Sequence, residues 1–226
     1  MTTLVVAAHP DDEVLGCGAT VARMAREGED VVIAILGEGA MARVTERTEG
    51  DSPLVASLKA QSRQAAELLG AKEVRHFGLP DNRFDTVPLL DVVRIVEGLL
   101  EELAPRAVYT HHGGDLNVDH QTVFRSVLTA TRPLPGHGVS EVYAYEVNSS
   151  TEWAFQRLEP VFRPSLFVDV SETIDVKVRA LQAYGDEVRP FPHPRSPEAV
   201  RAAAQRWGSA VGVGAAEAFE PIRIVR

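Results

Sequence analysis

The sequence predicts an α/β fold: a mostly parallel central sheet covered by helices on both faces, three layers in a single domain over residues 1–226. Two observations predict it. Strand-like and helix-like segments alternate four times before residue 130, the pattern of right-handed βαβ units. The strand-like segments are unbroken apolar runs rich in β-branched residues, as suits strands buried on both faces. No internal repeat, low-complexity tract or long linker divides the chain.

The first strand is Leu4-Val5-Val6-Ala7-Ala8, stopping at His9-Pro10-Asp11-Asp12-Glu13. A helical pattern through Val14, Leu15, Val21, Ala22 and Met24 runs on to Gly28. A second strand, 31–36, is closed by Gly37 and Gly39. Residues 38–53 read as a long polar loop, a length that in compact domains usually serves function. A helix over 54–69 has Gly70 at its C-terminal cap position, a short strand occupies 73–77, and Gly78-Leu79-Pro80-Asp81-Asn82 is a turn. An amphipathic helix spans 87–103, with Pro88 tolerable in its first turn. The fourth strand, 107–110, leads through the loop 111–117 to a helix over 118–130. Strands at 141–147 and 166–170 and helices at 172–188 and 196–207 extend the edge of the sheet, and Pro221 opens a last short strand-like run, 222–225.

Composition narrows the function. With 45% hydrophobic and 24% charged residues the chain can build a full core without disulfides or a structural metal. The single cysteine, Cys17, excludes an intramolecular disulfide and a multi-cysteine zinc site. A formal net charge of −9 argues against a nucleic-acid partner. No apolar run approaches the roughly 20 residues that span a bilayer. Residues 1–6 lack the basic and apolar regions of a secretory signal, so a cytoplasmic location is expected.

In an open α/β sheet, ligands bind beyond the carboxyl ends of the strands, where strand order reverses. The loops after the first and fourth strands hold the densest metal-competent side chains: His9, Asp11, Asp12 and Glu13 in one, His111, His112, Asp115, Asn117, Asp119 and His120 in the other. Imidazoles and carboxylates suit zinc, and a catalytic zinc keeps three protein ligands and one open position. For those loops to meet, the first and fourth strands must be neighbours. Adjacent Asp11 and Asp12 cannot point the same way, so one can hold a metal while the other faces the water it activates. The plainer alternative is that one of them caps the following helix.

Ala8-His9-Pro10-Asp11-Asp12-Glu13-Val14-Leu15-Gly16-Cys17-Gly18 resembles the opening signature of the PIG-L/LmbE-like family of zinc-dependent N-acetylglucosaminyl deacetylases. Asp115-Leu116-Asn117-Val118-Asp119-His120 is similar to that family's second metal-binding segment, and 78–82 and Ala215-Ala216-Glu217-Ala218-Phe219 are supporting matches. The resemblance implies a Rossmann-like three-layer sandwich and one zinc per chain held by His9, Asp12 and His120. It implies Asp11 as the general base that activates water, and Asp81 near substrate hydroxyls. The implied substrate is a small N-acetylated amino sugar or its conjugate. The sequence itself gives no oligomeric state, although members of that family often form homo-oligomers.

Two departures stand out. Some relatives carry a histidine three places before the last ligand, where this chain has Asn117; its amide can donate to an oxyanion but cannot act as an imidazolium acid. On the helix at 54–69, Lys59 and Gln61 align where many relatives have Arg and Glu, which makes Lys59 a candidate substrate contact. Glu38 after the second strand can reach the pocket or simply be solvated. One of His111 and His112 can orient a ligand, since adjacent strand residues face opposite ways. His76, His137 and His193 read as packing, loop or surface histidines. Cys17 between Gly16 and Gly18 reads as close helix–strand packing, and the missing third glycine excludes a dinucleotide fingerprint. Three rivals remain. They are a magnesium-dependent phosphotransferase built on Asp11 and Glu13, a non-catalytic sugar- or metal-binding module, and an amidase acting on a bulkier acyl group.

Overall fold

The computed structural model describes residues 1–39, 53–134 and 138–226. Most of the polar loop after the second strand, and His137, lie outside the described residues. The elements in chain order are β1 (Thr2–Ala7), α1 (Asp12–Arg26), β2 (Asp30–Gly37), α2 (Pro53–Leu69), β3 (Glu73–Leu79), α3 (Leu89–Leu103) and β4 (Ala107–His111). They continue as α4 (Val118–Ala130), β5 (Glu141–Tyr145), β6 (Leu166–Asp169), α5 (Ile174–Ala183), α6 (Pro197–Val211) and β7 (Ala216–Ile224). Seven strands form one sheet in the order β3-β2-β1-β4-β5-β7-β6. The first five run parallel, and β7 is antiparallel to both β5 and β6.

Strand alternation sorts the core into two layers. Val5, Ala7, Val31, Ile33 and Ile35 face α1, α2 and α5. Leu4, Val6, Val32, Ala34 and Leu36 face α3 and α4. Each of these strand side chains is at most 2% exposed, which is why the strands read as continuous apolar runs rather than alternating ones. Strand order reverses between β1 and β4, which pair directly, Leu4 opposite Val108 and Val5 opposite Tyr109. The two chemistry-bearing loops therefore open side by side.

Two departures from the sequence expectation have a clear physical cause. The last strand starts at Ala216 and runs through Pro221 instead of beginning after it. Proline is accommodated because Tyr143 opposite it lies at a register shift between β5 and β7, where a ladder bond is already lost. The helix expected over 172–188 stops at Ala183, and Gly185, with φ of +43°, turns the chain into a short 3₁₀ segment. Among the described residues no helix is long and apolar enough to cross a membrane.

Helix α1 is broken at Cys17, whose φ of −144° and ψ of 19° are not helical. Gly16 sits against the Tyr145 ring, where a Cβ would collide, so the expected close packing at this glycine is with β5. The break frees backbone groups, and a buried ion pair takes them up. Glu217 on β7 accepts from the N–H groups of Ala19 (3.1 Å) and Thr20 (2.7 Å). Lys177 on α5 donates to Leu15 O (2.7 Å) and to Glu217 (2.6 Å). The late Glu217 match thus earns a structural meaning: it caps the second half of the helix that carries the first site loop. Glu217→Ala should lower unfolding free energy by about 3–5 kcal/mol, because it strands both a buried ammonium and two N–H groups. Denaturant titration checks this; a loss near zero would contradict the assignment.

Candidate metal centre and cleft

The turn after β1 separates the two adjacent carboxylates. Pro10 fixes its own φ, and Asp11 takes φ of +93°, a left-handed conformation uncommon for a residue with a side chain. Asp11 occupies the N-cap position of α1, yet its side chain makes no capping bond. Its Oδ2 instead accepts from Arg195 Nη1 at 2.9 Å, and its N–H donates to Glu13 Oε2 at 3.1 Å. The capping alternative therefore fails for Asp11. Asp12, turned the other way, faces two histidines.

Asp12 Oδ2 lies 3.3 Å from His9 Nδ1 and 3.2 Å from His120 Nε2. Ligands about 2.0–2.1 Å from a tetrahedral zinc stand roughly 3.3–3.4 Å apart, so these spacings suit that ion. The ligand atoms of His9, Asp12 and His120 all lie within 4.8 Å of one another. Asp12 Oδ1 is buried without a hydrogen-bond partner among the described residues. A buried, unpaired carboxylate oxygen is costly unless a cation meets it. The residues present fit a divalent metal.

The remaining ring nitrogens are held by a second layer of carboxylates. His9 Nε2 is 2.9 Å from Asp119 Oδ2 and 3.2 Å from Asp81 Oδ1, and Asp119 Oδ1 accepts from the Phe84 N–H at 2.9 Å. With its Nε2 proton given to Asp119, a neutral His9 would turn its Nδ1 lone pair to a metal held beside Asp12. His9, Asp81 and Asp119 also form a second trio with metal-ligand spacing, but they share one imidazole nitrogen. His120 Nδ1 is 3.1 Å from Asp115 Oδ1, off the line of a good hydrogen bond. Asp115 in turn accepts from Ser150, from Thr151 Oγ1 (2.5 Å) and from the Asn117 N–H (2.9 Å).

Electrostatics point the same way. Burial opposes charge on His9, but the bonds to Asp119 and Asp12 outweigh it and raise its pKa to about 10. Burial likewise opposes charge on His120, yet Asp12 and Asp115 raise it to about 9. This cluster draws positive charge into a buried space, which a divalent cation supplies without protonating the ligands. Burial lifts Asp11 well above the usual carboxylate range, with Arg195 pulling it back and Asp12 adding to the rise. Burial also raises Glu13 to about 7, opposed by its bond from the Tyr184 hydroxyl.

His111 and His112 part as the pleat requires. His111 stacks on His120, centroids 4.0 Å apart, and its Nε2 accepts the Ala8 N–H at 2.8 Å. His112 points away, to Glu220 Oε2 (2.7 Å) and Pro160 O (2.7 Å).

Above the metal cluster lies a cleft of about 320 Å³, lined among others by His9, Asp11, Asp81, Asn82 and Asn117. Asn117 caps α4, its Oδ1 accepting from Asp119 N–H at 2.8 Å while Nδ2 donates to Asn82 at 3.2 Å. Asp81 is buried at the cleft wall. Glu38 ties its N–H to Leu79 O at 3.0 Å, and the next residue, Gly39, lines the cleft. Lys59 does not line it. That residue stands on α2 near His76, whose pKa is lowered to about 4 by burial and by the charges of Arg63 and Lys59. His76 itself bonds Ser62 Oγ at 2.6 Å.

Sequence reasoning missed Arg195. It reaches the cleft from 184 residues beyond Asp11, with Nη1 also 3.1 Å from Glu187 and Nε donating to Ser149 Oγ at 2.7 Å. The only sequence signal was the proline-dense stretch around His193, which reads as a rigid surface segment. Here it forms a cleft wall.

A family model described as GlcNAc-PI de-N-acetylase (PIG-L) matches residues 4–131. The chain is 29% identical over 187 residues to an uncharacterized deacetylase, YaiS, of Escherichia coli K12, covering 80% of this chain and 89% of that one. It is 26% identical to a diacetylchitobiose deacetylase of Thermococcus kodakarensis, covering 80% and 68% of the two chains. The crystal structure of a conserved protein, TT1542, of Thermus thermophilus superposes with a TM-score of 0.78 at 28% identity, over 99% and 96% of the chains.

Proposed function

Because the chain belongs to the PIG-L family of de-N-acetylases, we propose that it is a zinc-dependent N-deacetylase of a small N-acetylated amino sugar or its conjugate. The relatives named as acting on N-acetylated sugars support the substrate class. The observation that carries the reading is the division between adjacent carboxylates: Asp12 faces two histidines, while Asp11 faces the cleft and Arg195.

In this reading His9, Asp12 and His120 hold one zinc per chain. Bound zinc supplies Lewis acidity, activating water and polarising the acyl carbonyl. Asp11 takes the proton from the attacking water and returns it to the departing amine. Its Arg195 contact fixes one carboxylate oxygen of a residue that lines the cleft. Asn117, held between Asp119 and Asn82, has its amide on the cleft wall, where it can donate to the developing oxyanion. Asp81 is a hydroxyl contact. The non-catalytic alternative leaves the buried, Arg-paired Asp11 without a purpose, because a binding site needs no base.

Zinc-loaded protein incubated with a panel of N-acetylated mono- and disaccharides should release acetate from at least one. Release from none, with zinc shown to be bound, contradicts the reading.

A further inference from the structure

One rim of the cleft is a strap with three prolines, Arg189-Pro190-Phe191-Pro192-His193-Pro194-Arg195. It is tied by its own backbone. The His193 N–H donates to Pro190 O at 3.1 Å, and the Ser196 N–H to His193 O at 2.9 Å. The Arg195 N–H donates to His193 Nδ1 at 3.1 Å, and Asn148 Nδ2 anchors Pro194 O at 3.3 Å. Fixed proline φ angles leave such a strap little freedom to lose when a ligand arrives.

Two arginines of the strap line the cleft, with different surroundings. Arg195 is engaged by Asp11, Glu187 and Ser149. Arg189 makes no hydrogen bond or ion pair with any described residue. The other charged side chains of the cleft wall are satisfied within the protein: Asp11 and Glu187 by Arg195, and Asp81 with His9. Beside Arg189, His193 meets Trp153 at 79° with ring centroids 5.6 Å apart. Trp153 is 41% exposed, so an apolar ring shares the cleft rim with the Arg189 guanidinium.

We infer that Arg189 selects substrates whose amino sugar carries an anionic substituent, a carboxylate or a phosphate, at the outer end of the cleft. This rests on the deacetylase reading above and adds the charge of the substrate to it. A guanidinium offers paired N–H donors that match either anion, and the neighbouring Trp153 face gives the sugar ring an apolar surface. Arg195 is committed to Asp11 and Glu187, so of the two strap arginines Arg189 is the one whose guanidinium can meet an anion.

The test compares acetate release by zinc-loaded wild type, Arg189→Gln and Arg189→Lys. The substrates are the methyl glycoside of N-acetylglucosamine, its carboxymethyl glycoside and N-acetylglucosamine 1-phosphate. In wild type an anionic compound should be preferred over the methyl glycoside, less so as salt rises. Arg189→Gln should lower the anionic-to-neutral ratio of kcat/KM about tenfold, through KM, as expected for one charge-assisted contact. Arg189→Lys should restore part of the ratio. Loss with either anion supports the inference, and the larger loss identifies the group. An unchanged ratio in Arg189→Gln, with acetate still released, overturns this inference alone. Acetate from none of the three in wild type contradicts the deacetylase reading for these sugars and the inference with it.

Discussion

Asp11→Asn should reduce acetate release by about 10²–10⁴-fold while the protein still binds its zinc. Asparagine matches aspartate in size but cannot take the proton of an attacking water at neutral pH. The structure isolates this effect well. Asp11 Oδ2 contacts Arg195, whereas the His9 and His120 nitrogens meet Asp12. Turnover near wild type would remove Asp11 as the base. Loss of zinc from this variant would make Asp11 a ligand and reverse the two carboxylates.

His120→Ala should lower zinc affinity and turnover together. In the proposed reading the change removes one of three ligands, so the loss of affinity should exceed the roughly 10–100-fold that removal of a supporting partner costs. Asp115→Ala gives that comparison, since Asp115 meets His120 at Nδ1, the ring nitrogen turned away from Asp12. Chelator competition measures both affinities. Equal, small losses in the two variants would mean that His120 is not a ligand.

The candidate site was legible where its chemistry is local in sequence. His9, Asp11 and Asp12 follow directly on a buried apolar strand, so strand-end geometry and residue type place them together. His120 could be joined to them because β1 and β4 must be neighbours at a switch point, and they are. Roles within the second loop were harder to read. Asp115, Asp119 and His120 are all metal-competent, and only ring orientation divides ligand from support. Asn117, read as an oxyanion donor, is the cap of α4, its Oδ1 accepting the Asp119 N–H. Arg195 and Glu217 could not be found from spacing, since Arg195 meets Asp11, and Glu217 the Ala19 and Thr20 N–H groups, across more than 180 residues. Helix position aligns Lys59 to the cleft, but it is not among the described residues that line it, and its charge acts on His76. The early end of β7 was hidden by Ala215, Ala216 and Ala218, which carry little strand propensity; residues 216–218 pair with β6, and pairing with β5 begins at Phe219.

The central claim is that His9, Asp12 and His120 hold the metal on which deacetylation depends. Its most direct test is to strip the protein with a chelator, verify metal loss by elemental analysis, and titrate zinc back while following acetate release from a sugar the loaded protein turns over. The account predicts no release from stripped protein and a rise that levels off at about one zinc per chain, as for a mononuclear catalytic site. Full turnover by verified metal-free protein would contradict it.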